Sequence, residues 1–189
     1  MIAGGVESIS ANQRQTPGKS DIHPTIREKS PDIFMAMGNT AEVVARRYSV
    51  SREYQDEFSL ESQKRTAAAQ QAGLFDDEIV PMKTKYAKIV NKETKETEIV
   101  DGVCVGDECN RPETTLEGLA SLKPVFEEDG TVTAGNASQL SDGASMTLVM
   151  SAERAQQLGL EPMAYFRRWT VAGCEPDEMG IGPVFAVPK

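Results

Sequence analysis

Thr133-Ala134-Gly135-Asn136-Ala137-Ser138, continued by Gln139-Leu140-Ser141-Asp142-Gly143-Ala144, is the stretch on which the reading of this 189-residue chain turns. Ala, Gly and Ser dominate it, so the backbone is nearly bare of side-chain bulk and another group can come close. The Ser138 hydroxyl and the neighbouring peptide groups can hydrogen-bond a narrow, amide-containing ligand. Tight packing of a helix on a strand calls for the same residue types, so the segment alone leaves both readings open.

The composition around it is that of a globular protein. With 39% hydrophobic and 26% charged residues, the chain suits one or two domains with enough apolar mass for a core. Twenty-nine acidic against 20 basic residues give a formal charge of -9. That balance argues against a broad cationic face, so neither nucleic acid nor a membrane surface is expected as a partner. No apolar run reaches the roughly 18 residues that span a bilayer, and Met1-Ile2-Ala3-Gly4-Gly5 lacks a charged leader followed by an apolar stretch. The expected location is the cytoplasm, or a mitochondrial or peroxisomal matrix in a eukaryote. Three cysteines, an odd number, speak against a disulfide scaffold.

Working outward, residues 1–10 read as the end of a buried strand entering a glycine turn at Gly4 and Gly5. A strand at that place needs neighbours, and the expectation is that the chain starts inside a domain. Residues 11–31, punctuated by Pro17, Gly18, Pro24 and Pro31, read as a surface excursion in which His23, the only histidine, is a solvated side chain rather than a general base. Asn39 with Glu42 three positions on predicts a capping box, and Ala41, Val44, Ala45 and Tyr48 an apolar stripe behind it. A second helix follows, with Ser51 at its start and Gly73 at its end. A strand is expected to begin at Glu78-Ile79-Val80-Pro81-Met82, and a hairpin with solvated strands to turn near 91–97. Further on come a helix at 115–122, a strand at 130–133, a buried strand at 146–150, a helix at 151–158 closed by Gly159, and a strand at 164–171. The class is mixed α/β.

Four stretches of the chain resemble, in order, motifs of the thiolase family. Residues 133–144 are similar to its Thr-Ala-Gly-Asn-Ala-Ser signature and the Asp-Gly-Ala that follows. Ile2-Ala3-Gly4-Gly5-Val6-Glu7-Ser8 resembles the strand and turn before the family's loop domain. Met37-Gly38-Asn39-Thr40-Ala41-Glu42, with Ser51-Arg52-Glu53 and Gln55-Asp56-Glu57, resembles that domain's helices, and Met179-Gly180-Ile181-Gly182-Pro183-Val184 the opening of the C-terminal half.

The resemblance implies an α/β, thiolase-like fold present in part. Residues 1–10 and 139–161 would belong to the N-terminal half, 11–138 to a loop domain that binds coenzyme A, and 162–189 to the start of the C-terminal half. It implies acyl-CoA and coenzyme A as ligands, with no separate cofactor, and a homodimer or homotetramer at full length. Residue by residue, Met37, Arg111, Phe126, Ala134, Ser138 and Leu140 stand where thiolases touch the ligand. Arg111 would meet a phosphate or cover the adenine, Phe126 would pack on the base or its ribose, and Ala134, Ser138 and Leu140 would line the pantetheine tunnel. The alternative roles are a solvated loop charge for Arg111 and ordinary core for Met37 and Phe126. Ala36, where biosynthetic thiolases often have histidine, leans toward a degradative 3-ketoacyl-CoA thiolase. Gly118 replaces a hydroxyl residue used by some relatives, and that contact is not carried over.

The family's chemistry uses a thiolate nucleophile that takes the acyl group as a thioester, a histidine that activates it, and a second cysteine that moves a proton. None of Cys104, Cys109, Cys174 or His23 stands in those contexts, so no catalytic residue and no metal ligand is expected here. Cys104 and Cys109, with four residues between them in an acidic loop, would need distant ligands to hold a metal. Cys174 reads as a small buried side chain. Two functions follow: an acyltransferase of which this chain is the inactive middle, or a non-catalytic acyl-CoA binding or interaction module.

Overall fold

The computed structural model describes residues 1–12, 23–91 and 93–189. In chain order these hold β1 (Ile2–Glu7), α1 (Ile9–Asn12), α2 (Pro24–Lys29), a 3-10 segment (Pro31–Phe34), α3 (Met37–Arg47) and α4 (Arg52–Gln71). Then follow β2 (Met82–Asn91), β3 (Glu96–Cys104), α5 (Leu116–Ala120), β4 (Gly143–Leu148), α6 (Ala152–Leu158), a second 3-10 segment (Pro176–Ile181) and α7 (Gly182–Ala186). The class is mixed α/β. The chain divides into two units, one of Met1–Arg52 with Lys123–Lys189, the other of Glu53–Leu122.

In the first unit, β1 and β4 pair antiparallel, Ile2 opposite Leu148 and Glu7 opposite Gly143. The two glycines lie within β1 rather than in a turn after it. At Gly4 a side chain would collide with the Ser145 carbonyl, so the close approach of β4 is what requires glycine. Both strands are exposed at every position, so neither the buried strand read at the N-terminus nor the one read at 146–150 is buried. β4 also begins three residues before the expected start.

The surface excursion is not featureless where it is described. His23 caps α2, its Nδ1 accepting the Thr25 N–H at 3.3 Å, while residues 13–22 lie outside the described residues. Asn39 is not a cap: α3 begins at Met37 behind an extended Ala36, and the Asn39 N–H donates to Ala36 O. The face it buries is Thr40, Glu42 and Ala45; Ala41 and Tyr48 are exposed. A local cap signal lost here to tertiary contacts, because Glu42 turns inward. Residues 130–133 form no strand, and residues 164–171 form none either. Met163, Phe166, Trp169 and Val171 of that region are exposed, and no described strand lies beside them to pair with. α6 follows expectation: Ser151 Oγ accepts the Arg154 N–H, and Gly159 at φ 66° closes the helix with the Leu160 N–H donating to Ala155 O.

The second unit opens with α4. Gly73 at φ 68° ends it, the Gly73 and Leu74 N–H groups donating to Gln70 O and Ala69 O, which satisfies carbonyls the helix leaves open. β2 begins only at Met82, because residues 74–78 still turn. β2 and β3 form the expected hairpin, largely exposed on both faces, with Tyr86 lying over Gly102 so closely that a side chain there would meet the ring. Thr115 caps α5, its Oγ1 accepting the Gly118 N–H at 3.0 Å. The apolar core is thin in both: Ala45, Val132, Ala155 and Ile181 in the first unit, Ala67 and Leu119 in the second.

Candidate functional site

The site is built from α3. In its first turn, Gly38 leaves room for the Phe126 ring, which lies where a Cβ would stand. That seats Phe126 beside Met37, and neither is core: Met37 is 72% exposed and Phe126 43%. One turn on, Glu42 points inward and is 1% exposed. Its carboxylate accepts the Thr131 N–H at 2.8 and 3.0 Å, the Thr131 hydroxyl at 2.9 Å and the Val132 N–H at 2.8 Å. Gly130 is required there, since any side chain would strike the Glu42 carboxylate. Burial pushes the Glu42 pKa up. The N–H bonds from Val132 and Thr131, the Thr131 hydroxyl and the Arg46 charge outweigh it and hold the carboxyl below the usual glutamate range.

The turn that follows is closed by its own side chains. Thr133, also 1% exposed, donates its N–H to Asn136 Oδ1 at 2.8 Å. Its Oγ1 accepts the Gly135 and Asn136 N–H groups at 3.2 and 3.4 Å. Asn136 Nδ2 donates back to Thr131 O at 2.9 Å. With these donors used internally, Ala134, Ala137 and Ser138 face outward, and Leu140 follows at 70% exposure. Among the described residues the Ser138 hydroxyl and the Ala137 and Ser138 N–H groups have no protein partner, which leaves them available to a ligand. Asp142 then ties the segment to the start of α1, accepting the Ser10 N–H at 2.9 Å and the Ser8 hydroxyl at 3.2 Å. The bond from Ser10 is foremost in lowering the Asp142 pKa.

Of the six residues singled out from sequence, five therefore lie in the first unit: Met37 and Phe126 on the first turn of α3, Ala134, Ser138 and Leu140 along the small-residue turn. All five are exposed, and Ala134, Ser138 and Leu140 present a bare wall along the turn. Arg111 lies in the second unit. Its N–H donates to Gln63 Oε1 at 2.8 Å and its carbonyl accepts the Thr114 hydroxyl at 2.7 Å, while the guanidinium is exposed and makes no ion pair among the described residues. Beside it Asn110 donates to Gln70 at 3.0 Å, with its Oδ1 buried and unpaired. A concavity of about 470 Å³ on the hairpin, at Lys83, Lys85 and Asp101, and one of about 180 Å³ at Gln70, Phe75 and Val105, involve none of the six.

Sequence reasoning missed Gly38, Glu42, Thr133 and Asn136 as the parts that shape this wall. Glu42 was read as a local cap because its partners lie 89 and 90 residues away. Cys174 is exposed, not buried, and its Sγ lies 3.8 Å from Met179 O as a weak donor. Cys104 and Cys109 are exposed as well and form no disulfide. Among the described residues no group of three His, Cys, Asp or Glu side chains gathers to hold a metal, and no helix is long and apolar enough to cross a membrane.

Residues 1–153 match the family described as Thiolase, N-terminal domain. The chain belongs to the thiolase family. It is 46% identical over 187 residues to the peroxisomal 3-ketoacyl-CoA thiolase of Homo sapiens, covering 99% of this chain and 43% of that protein. The dimeric peroxisomal thiolase of Saccharomyces cerevisiae superposes with a TM-score of 0.84 at 34% identity, covering 99% of this chain and 45% of that one. Human mitochondrial 3-ketoacyl-CoA thiolase in complex with CoA superposes with a TM-score of 0.74 at 36% identity, covering 99% and 46%. This thiolase chain spans about half the length of the relatives it matches, and its fold is part of the thiolase fold.

Proposed function

We propose that the full-length gene product is an acyltransferase that cleaves 3-ketoacyl-CoA with coenzyme A or runs the reverse condensation, and that this chain supplies its coenzyme A contacts. The observation behind the reading is the wall at 134–140: bare, exposed, with free donors on Ala137 and Ser138, in a chain that superposes over 99% of its length on a thiolase solved with CoA. On this reading Ala134, Ser138 and Leu140 form one side of the path for the pantetheine arm, whose amides the Ser138 hydroxyl can meet. Met37 and Phe126 flank it, and the free Arg111 guanidinium takes a phosphate. Residues 1–10 and 139–161 belong to the N-terminal half, 11–138 to the loop domain and 162–189 to the C-terminal half. The location is cytoplasmic, or a mitochondrial or peroxisomal matrix in a eukaryote, and the assembly a homodimer or homotetramer.

The chemical step is assigned outside these residues. The three cysteines are exposed side chains away from the family's nucleophile context, and the sole histidine has its Nδ1 engaged as a helix cap. Loss of nucleophile and base together removes nearly all chemical acceleration. The test is coenzyme A-dependent cleavage of acetoacetyl-CoA. Turnover by the full-length gene product and none by Met1–Lys189 alone is expected. A full-length product that binds coenzyme A without any turnover would favour the non-catalytic binding module.

A further inference from the structure

Glu42, the most deeply buried ionisable side chain among the described residues of the first unit, plays no part in the chemistry proposed above. Burying a carboxylate is unfavourable unless hydrogen bonds replace the lost water. Here the replacement comes from two successive backbone N–H groups, Thr131 and Val132, and one hydroxyl, all converging on one carboxylate. Successive N–H groups of an extended strand point to opposite sides, so this convergence is incompatible with the strand that residues 130–133 would otherwise form. An anion held by consecutive amides imposes a concave backbone instead. That curvature delivers the chain into the closed turn at 133–136, which in turn faces Ala137 and Ser138 outward.

α3 also fixes the other side of the wall. Gly38 in its first turn seats the Phe126 ring, and Glu42 one turn later seats residues 131–132. The two halves of the ligand wall are thus measured from one helix. Arg46, a further turn along, pairs with Glu127 next to Phe126 and steadies the same short connection.

We infer that Glu42 is a positioning residue for coenzyme A, holding the backbone at 131–132 so that the Ala134 to Ser138 turn meets the pantetheine arm. The inference rests on the coenzyme A reading of the preceding section, and it makes a claim that reading does not. Glu42 touches no ligand; it acts through Thr131 and Val132. Glutamine at this position keeps the size but replaces one acceptor oxygen by a donor that faces the same N–H groups. The turn then loses its template while the nucleotide side, read by Phe126 on its Gly38 seat, keeps its own support.

The test is calorimetric titration of the full-length gene product and its Glu42→Gln variant with two probes, coenzyme A and adenosine 3′,5′-bisphosphate, which lacks the pantetheine arm. Affinity for coenzyme A is expected to fall about tenfold in the variant, with affinity for the bisphosphate unchanged, the loss due to a charge-assisted bond network. Should Glu42→Gln not fold, Thr131→Val removes only the hydroxyl bond and is expected to lose about threefold for coenzyme A alone. Equal weakening for both probes would mark Glu42 as general scaffolding and overturn the inference, as would unchanged affinity for both. Failure of the unmodified protein to bind coenzyme A would instead defeat the ligand reading itself.

Discussion

Residues 131–136 and the β1–β4 pair sit in the same unit and draw on similar small and β-branched residues, yet they end in opposite states. The first holds Thr133 at 1% exposure and uses Glu42, Thr133 and Asn136 to occupy its backbone groups. The second is exposed at all twelve of its positions and is held by a two-stranded ladder, with Asp142 bonding Ser8 and Ser10 at its end. Two strands in water are marginal without a third element to cover a face. What separates the two regions is a buried polar anchor, Glu42, and not local propensity.

The largest break in that contrast is Glu42→Ala. It removes the acceptor of the buried Val132 N–H and of the half-buried Thr131 N–H and hydroxyl, and should cost about 3 kcal/mol in urea unfolding of the first unit. Gly38→Ala is next: the added methyl meets the Phe126 ring and should cost about 2 kcal/mol, with the ring displaced in the aromatic NMR region. Hydrogen exchange sharpens the comparison without a mutation. The Thr131 and Val132 amides should exchange roughly 100-fold more slowly than those of β1.

Acid should erase the difference. Glu42 has a folded pKa below its ordinary value, so its contribution is fully present above the ordinary value and is lost as pH falls through the folded one. The unfolded state then binds the proton first, and stability declines on acidification below the ordinary glutamate range. Glu42→Gln should flatten that part of an acid titration followed by circular dichroism. The smallest effect belongs to the surface cluster at the far end of α3. There Arg47 pairs with Asp177 at 2.8 Å and with Glu178, and Tyr48 donates to Glu178 at 2.9 Å. The bonds to Asp177, then Glu178, raise the Arg47 pKa, and the Glu178 bond raises that of Tyr48. These side chains are part-exposed, so Arg47→Ala should lower the melting temperature slightly, and not at all in high salt.

Signals confined to a few neighbouring residues were legible. The capped helix at Ser151, the helix near Thr115, Gly73 and Gly159 as stops, and the hairpin turn all depend on groups within a few positions of each other, and the structure has each of them. The small-residue stretch was recognisable for the same reason. What depended on distant partners was not. Glu42 reads locally as a cap, Gly4 as a turn and residues 130–133 as a strand until the partners at Val132, Ser145 and Glu42 are known. Residues 164–171 alternate as a strand should, but with no described strand to pair with, the pattern has nothing to act on. Cys174 shows the same limit in reverse, since a small apolar side chain is buried only where something covers it.

Ser138→Trp tests the central claim most directly, because it fills the bare wall without touching Glu42 or the turn behind it. In calorimetric titration of the full-length gene product with coenzyme A, the substitution should lower affinity at least about 100-fold, the loss of the arm's path and its hydrogen bond together. Equal affinity in the substituted and unmodified proteins would contradict the assignment of residues 134–140 as the surface along which coenzyme A lies.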